Sequence, residues 1–192
     1  MEEKKTPLQK AIEALKLGHV IGMPTDTVYG CGIAIAYSQS PSALNKVKGR
    51  AWDKPCALLI DSFDDMDKYA VGIPDYAYTL AEENWPGALT LILRASRELP
   101  VAFGGPGGTV ALRMPECACA RKIIRGIGCP IACSSANFTG EPHPQFFDDV
   151  DPKFVDQLDY CVSCLHGQCK DASGKPSKII DCTGAEPKVI RD

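Results

Sequence analysis

The sequence has no long hydrophobic run and no excess of positive charge, and each absence excludes a class of protein. No apolar stretch reaches the roughly 20 residues that a membrane-spanning helix needs, so we expect no membrane segment. The 24 Asp and Glu outnumber the 21 Lys and Arg, and the net charge of −3 argues against a protein that coats nucleic acid. The first residues contain no apolar signal-peptide core, and we therefore expect a cytoplasmic protein.

The motifs of common nucleotide-binding and hydrolase sites are also missing. There is no Walker A motif and no Gly-x-Gly-x-x-Gly after a strand, so a nucleotide would need another arrangement. The chain has only 3 histidines and no serine in a Gly-x-Ser-x-Gly setting, which argues against a serine hydrolase. No internal repeat or low-complexity linker divides the 192 residues, and we expect a single domain over 1–192.

Cysteine, by contrast, is abundant, with 10 residues. Several lie in apolar runs, as Cys56 and Cys133 do, where cysteine behaves as a small hydrophobic side chain. The cluster Cys161-x-x-Cys164-x-His166-x-x-Cys169 has a spacing that permits a zinc site. The alternative is a half-buried strand followed by a loop with reduced thiols. Because no second Cys-x-x-Cys pair exists, we expect reduced cysteines without metal.

Apolar periodicity and turn residues predict helices that alternate with strands. A capping box at Thr6 opens a helix that ends at Gly18, and further helices are predicted after Ser40 and over 74–85 and 115–125. The predicted strands cover 19–23, 56–60, 89–93, 109–113, 130–134, 160–163, 177–181 and 188–190. Because the later strands follow one another with fewer helices, the pattern indicates an α/β fold with a mixed sheet.

Three polar segments follow predicted elements, where ligand sites of α/β proteins tend to lie. Residues 24–30 combine two hydroxyls, a carboxylate and a phenol; the alternative is a capped turn. Residues 46–55 hold four cations and one anion, which suits phosphate or carboxylate groups; the alternative is a solvated helix end. Residues 133–140 offer small hydroxyls and an amide for a phosphate or nucleotide; the alternative is a polar turn.

Six stretches in register resemble the YrdC family of threonylcarbamoyl-AMP synthases, of the short TsaC type. They are PTDTVYG at 24–30, KGR at 48–50 with KP at 54–55, WPGALT at 85–90, TVALR at 109–113, SAN at 135–137 and GKPS at 174–177. The resemblance implies a single α/β domain, with a twisted mixed sheet flanked by helices around a basic concave cleft. Because the chain stops at residue 192, we expect the extra C-terminal domain of long family members to be absent.

The resemblance also implies a reaction. L-Threonine, bicarbonate and ATP would give threonylcarbamoyl-AMP and pyrophosphate, with Mg²⁺ expected to accompany ATP. The product would pass to a downstream threonylcarbamoyl transferase complex that modifies adenosine 37 of tRNAs, and any direct tRNA contact would be weak. Because all three substrates carry negative charge, fixed cations are needed to bring them together.

Site residues are implied position by position. Lys48 and Arg50 match the family's Lys-x-Arg signature and are the expected catalytic cations. The positions that match ATP contacts are Arg50, Lys54, Thr109, Ser135, Asn137, His143 and Arg191. The positions that match the threonine site are Thr27, Leu59, Arg113, Cys133 and Ser177, with Arg113 expected to bind the carboxylate. No protein metal ligand is expected.

The chain departs from the family pattern at a few positions. His143 stands where a small hydroxyl residue is common, Leu59 where histidine is frequent, and Lys178 where threonine is usual. Residues 163–172 are rich in cysteine and lack paired glycines. Two alternative functions remain: an RNA-binding module, and a YrdC-like paralogue that acts on another carbamoyl-type substrate.

Overall fold

A mixed β-sheet of nine strands runs through the part of the chain that the structure describes. The structure is a computed structural model that describes residues 5–49, 56–163 and 171–192. In chain order the strands are β1 (Ile21–Met23), β2 (Gly30–Ala34), β3 (Ala57–Leu59), β4 (Leu89–Arg94), β5 (Thr109–Arg113), β6 (Ile131–Ser135), β7 (Tyr160–Cys161), β8 (Lys178–Asp181) and β9 (Lys188–Arg191). Their order across the sheet is β7-β1-β2-β6-β3-β5-β4-β8-β9.

Strand directions confirm the expected mixed sheet. The pairs β1/β7, β3/β5 and β4/β8 are parallel, whereas the other neighbours run antiparallel. Parallel neighbours need crossover connections, and the segments that link them contain helices. The α/β fold class expected from the sequence is therefore confirmed.

Six α-helices lie in the described residues: α1 (Pro7–Lys16), α2 (Ser42–Val47), α3 (Phe63–Tyr69), α4 (Asp75–Asn84), α5 (Ala118–Ile127) and α6 (Pro152–Val155). The predicted capping box opens α1: Gln9 N donates to Thr6 Oγ1 at 3.2 Å, and Thr6 N donates to Gln9 Oε1 at 2.7 Å. None of these helices has the length and apolarity that a bilayer crossing requires. Strand β2 and helices α3 and α6 were not predicted.

The two faces of the sheet have different environments. Side chains alternate between faces along a strand, so Leu58, Leu112 and Ala132 share one face, and all three are fully buried. Helix α1 packs against α5, β1 and β2, and its Ala11 and Leu15 are fully buried. The intervening residues of the same strands point to the opposite face, where the sheet borders a cavity.

Candidate active site: a cationic cavity on the sheet

A cavity of about 310 Å³ is bordered by alternate residues of the central strands. Residues 57 and 59 of β3, 111 and 113 of β5, and 133 and 135 of β6 all line it. Its polar side chains are those of Thr25, Thr27, Thr90, Arg113, Ser134, Ser135, His143, Ser177 and Arg191. The described lining contains two arginines and no carboxylate, so the cavity suits an anionic ligand.

Arg113 is held at the end of β5 by three hydrogen bonds in different directions. Its Nε donates to Gly87 O at 3.0 Å, Nη1 to Thr27 Oγ1 at 2.8 Å, and Nη2 to Asp26 Oδ1 at 2.6 Å. Both members of the Arg113–Asp26 ion pair are almost wholly buried. Arginine has five N–H donors, so its bonds to the described residues leave two, one each on Nη1 and Nη2. The guanidinium is thus fixed before any ligand binds.

Residues 24–30 form one wall of the cavity, and they fold into a turn that is held by hydrogen bonds within the segment. Thr25 Oγ1 donates to Val28 O at 2.7 Å and lies 3.0 Å from Thr27 Oγ1. The segment after residue 171 is tied to this turn, because Ser173 N donates to Asp26 O and Gly174 N donates to Thr27 O, at 3.0 and 2.8 Å. The turn that the sequence offered as the alternative to a ligand site is therefore present, and it also borders the cavity.

A second fixed cation comes from β9. Arg191 donates through Nε and Nη2 to Ser177 O at 2.9 and 2.7 Å, and Ser177 Oγ lies 2.8 Å from Thr90 Oγ1. Burial lowers the pKa of the Arg191 guanidinium, and the nearby charge of Arg113 lowers it further. The two cations repel each other across the cavity, and an anion bound between them would relieve this repulsion.

Lys48 lies beside the cavity rather than in its lining. Gly49 follows it with φ +59°, a left-handed conformation that lets the chain turn at the end of α2. The buried ammonium donates to Ser135 O and to Asn137 O, the latter at 2.7 Å, and Thr139 N and Oγ1 donate back to Lys48 O. These contacts join the end of α2 to the segment after β6, whereas the sequence predicted a side chain directed at substrate.

Asn137 and His143 form a hydrogen-bonded pair in the segment after β6. Asn137 Nδ2 donates to Phe138 O and Glu141 O at 2.9 and 2.7 Å, and Asn137 Oδ1 lies 3.3 Å from His143 Nδ1. Burial lowers the pKa of His143, and the positive charges of Lys48 and Arg191 act in the same direction. Both effects favour the neutral form of the imidazole.

The remaining wall is apolar. Leu59 and Cys133 line it, and burial raises the pKa of the Cys133 thiol to about 12, although Arg113 and Lys48 act in the opposite direction. A thiol with this pKa is protonated at neutral pH and is a poor nucleophile. Cys133 therefore fits a packing role against the apolar part of a ligand.

The structure brings most of the predicted site residues together. Those that line the cavity are Thr27, Leu59, Arg113, Cys133, Ser135, His143, Ser177 and Arg191. Lys48, Asn137 and Thr109 are not part of the lining, and the Thr109 hydroxyl donates to Pro106 O at 3.0 Å. Arg50 and Lys54 lie outside the described residues, as do Cys164, His166 and Cys169 of the candidate zinc cluster. The ligand contacts assigned to these residues remain predictions.

Sequence reasoning missed two contributors to the site. Asp26 pairs with Arg113, and the backbone carbonyl of Gly87 accepts from the same guanidinium. Both belong to stretches that carried the family resemblance, but neither was chosen as a site residue. The signal that could have identified Asp26 is chemical: a buried arginine needs a counter-charge, and Asp26 directly precedes Thr27.

The chain is similar in sequence and in fold to several known proteins. A protein of Mycobacterium tuberculosis is 36% identical over 190 residues, which make up 99% of this chain and 85% of that protein. The threonylcarbamoyl-AMP synthase of Pseudoalteromonas translucida is 28% identical over 193 residues, with both chains covered completely. The crystal structure of Pyrococcus abyssi Sua5 complexed with L-threonine matches with a TM-score of 0.87 and 32% identity.

The Pyrococcus match covers 98% of this chain and 55% of the relative, so the chain spans about half of that longer protein. The sequence profile of the Sua5_yciO_yrdC family, described as telomere recombination, matches residues 13–192. The profile covers nearly the whole chain, and the same residues form the sheet and its cationic cavity. This chain therefore belongs to the Sua5/YciO/YrdC family.

Proposed function

We propose that this protein is a threonylcarbamoyl-AMP synthase, which uses L-threonine, bicarbonate and ATP and releases pyrophosphate. One observation supports this most strongly: two fixed arginines, Arg113 and Arg191, border one cavity that contains no carboxylate among its described lining residues. Every substrate of the reaction is anionic or carries a carboxylate, and a protein of net charge −3 gathers positive charge here.

In this proposal the threonine carboxylate binds Arg113 through the two N–H groups left over from its protein contacts. The guanidinium needs no reorganisation, because Asp26, Thr27 and Gly87 already hold it. Thr27 and Ser177 bring hydroxyls to the same region, and Leu59 and Cys133 face the methyl end of the substrate. Pyrococcus abyssi Sua5, at 32% identity, has been solved with L-threonine, which supports this substrate.

The nucleotide occupies the part of the cavity near Arg191, Ser135 and His143. The threonine ammonium first loses a proton to solvent, and the free amine nitrogen then bonds to the bicarbonate carbon. A C–O bond breaks, and the hydroxyl group leaves as water with a second proton from the nitrogen, which gives the carbamate. A carbamate oxygen then attacks the α-phosphorus of ATP, and the bond to the pyrophosphate breaks. Fixed cations lower the barrier because they hold these anions close together and offset the charge on the phosphate oxygens.

Arg50 and Lys54, together with Thr109 and Asn137, remain proposed nucleotide contacts. Lys48 acts in this scheme by positioning Ser135 and Asn137, whose carbonyls it binds. Mg²⁺ prefers carboxylate and phosphate oxygens, and the described lining offers no carboxylate. Magnesium would therefore be held chiefly by the ATP phosphates.

The product is an activated threonylcarbamoyl group, which must pass to a transferase that acts on tRNA adenosine 37. Two other functions predict different behaviour. An RNA-binding module would bind RNA without consuming ATP, and a paralogue would release pyrophosphate with another carbamoyl-type substrate in place of threonine.

Mass spectrometry of the reaction products tests the proposal. The purified protein is incubated with ATP, L-threonine and ¹³C-labelled bicarbonate, and the expected product is threonylcarbamoyl-AMP that carries one ¹³C in its carbamoyl group. L-Serine replaces threonine in a parallel reaction, and Arg113→Ala serves as the site variant. Absence of labelled product in the complete reaction would refute the proposed activity.

A further inference from the structure

The hydrogen bonds of Asn137 determine which nitrogen of His143 carries a proton. Asn137 Nδ2 donates to two backbone carbonyls, Phe138 O and Glu141 O, which can only accept. The side-chain oxygen, Oδ1, therefore faces His143 Nδ1 at 3.3 Å, and Nδ1 must be the donor. In neutral His143 the other nitrogen, Nε2, consequently carries a lone pair rather than a proton.

The surroundings of Nε2 change when an anion enters. Within the described residues Nε2 makes no hydrogen bond, and the ring lines the cavity. The charged groups of those residues that act on the imidazole are both cations, Lys48 at the end of α2 and Arg191 on β9. Protonation of the ring without an anion beside it adds a positive charge near these two cations, and an unprotonated Nε2 would repel a phosphate oxygen.

We propose that His143 takes up a proton at Nε2 when a phosphate group binds beside it, so that nucleotide binding is coupled to protonation of this side chain. The protonated ring then donates to Asn137 through Nδ1 and to a phosphate oxygen through Nε2. The proton comes from solvent, and no covalent bond changes. The inference rests on the proposed function only in naming ATP as the nucleotide.

The direction of the pH effect follows from linkage. Without ligand the pKa of His143 lies below its ordinary value, and a bound phosphate raises it. Between the two pKa values, binding takes up one proton, so affinity for the anion falls as pH rises. If binding takes up one full proton, the Kd rises about tenfold for each pH unit of increase, and uptake of about half a proton gives a rise of about threefold.

Calorimetric titration with ATP, at several values between about pH 6 and 8, measures this coupling. His143→Gln is the informative variant, because its amide can donate to phosphate but does not titrate. We expect the ratio of the wild-type Kd to that of His143→Gln to rise about three- to tenfold per pH unit within this window. Taking the ratio cancels the ionisation of ATP itself. His19→Ser is the matched control, since His19 is exposed and absent from the cavity lining.

Titrations near pH 7 in two buffers with different ionisation enthalpies give an independent readout. The wild type should show a buffer-dependent heat that exceeds that of His143→Gln, and His19→Ser should match the wild type. The coupling is refuted if ATP binds but the Kd ratio stays constant across pH and the buffer-dependent heat of the wild type equals that of His143→Gln. The proposed function then still stands. Inorganic triphosphate serves as a second probe. Binding of triphosphate but not of ATP would refute the proposed function, and the pH dependence of the Kd for triphosphate would then test the coupling. Failure of both probes to bind refutes both proposals.

Discussion

Replacing Arg113 by lysine separates the charge of this residue from its geometry. The guanidinium makes three bonds in different directions, to Gly87 O, Thr27 Oγ1 and Asp26 Oδ1, and the proposed threonine contact uses the two N–H groups that the described residues leave. A lysine ammonium has three N–H groups on one atom and cannot present a planar pair to a carboxylate while it also contacts Asp26. We expect the loss of one charge-assisted hydrogen bond to threonine, worth about 1.5–3 kcal/mol.

That free energy corresponds to a Kd for L-threonine about 10- to 150-fold higher in Arg113→Lys than in the wild type. Calorimetric titration with L-threonine measures it, and a parallel titration should show ATP affinity within about threefold of wild type. The retained charge still faces Asp26, so we expect a loss of stability of only about 1–2 kcal/mol, or a fall of about 2–8 °C in the thermal midpoint.

Arg94→Lys is the matched control, because Arg94 lies exposed on the neighbouring strand β4 and donates to Thr183 O at 3.3 Å. This variant should bind threonine as the wild type does. If Arg113→Lys is folded and its Kd for threonine stays within about twofold of wild type, the carboxylate does not bind to Arg113, and the assignment fails.

Three further substitutions or treatments test other parts of the structure. Lys48→Met removes the donor to Ser135 O and Asn137 O and should lower the free energy of unfolding by about 2 kcal/mol or more, measured by urea denaturation; an unchanged midpoint would show that those carbonyls do not depend on the ammonium. Cys133 should resist iodoacetamide near pH 8 in the native protein and react after unfolding, since its pKa is about 12, and rapid native labelling seen by mass spectrometry would contradict its burial. Thr6→Ala should cost about 1 kcal/mol through loss of the α1 cap, and a cost near zero in thermal unfolding would mean that the first turn frays.

Local signals allowed several elements to be predicted from the sequence. The start of helix α1 was predictable because its signals are local: Thr6 and Gln9 form the capping box of the first turn, and Pro7 is the first helical residue. Strand β2 was missed because two of its five residues are glycines, which have low strand propensity. The structure gives the reason for Gly32: a Cβ there would lie 2.7 Å from Ile131 Cγ2 and 2.8 Å from Ala132 O on β6. Such a close approach between strands is a tertiary constraint that the local pattern does not contain.

In the candidate site, too, the sequence predicted individual residues but not their tertiary partners. The resemblance identified Arg113 and Thr27, but the partner of Arg113 depends on how β5 meets the turn after β1, and the sequence did not predict Asp26 as that partner. The charge pattern around Lys48 indicated a solvent-facing or ligand-facing cation. Burial of its ammonium, 5.8 Å from the centre of the Phe154 ring, depends on a distant helix, α6, that was not predicted.

The position of β9 at one edge of the sheet affects how the protein acquires its site during synthesis. Thr25 and Arg191 border the same cavity but lie far apart in the chain, and among the described strands β9 pairs with β8, which pairs with β4. Strands β8 and β9 follow all of the central strands in the chain, so they are synthesised after them. A nascent chain can therefore pair β2, β6, β3 and β5 while Arg191 is still inside the ribosome, and it gains the second cation of the cavity only when β9 has emerged and docked.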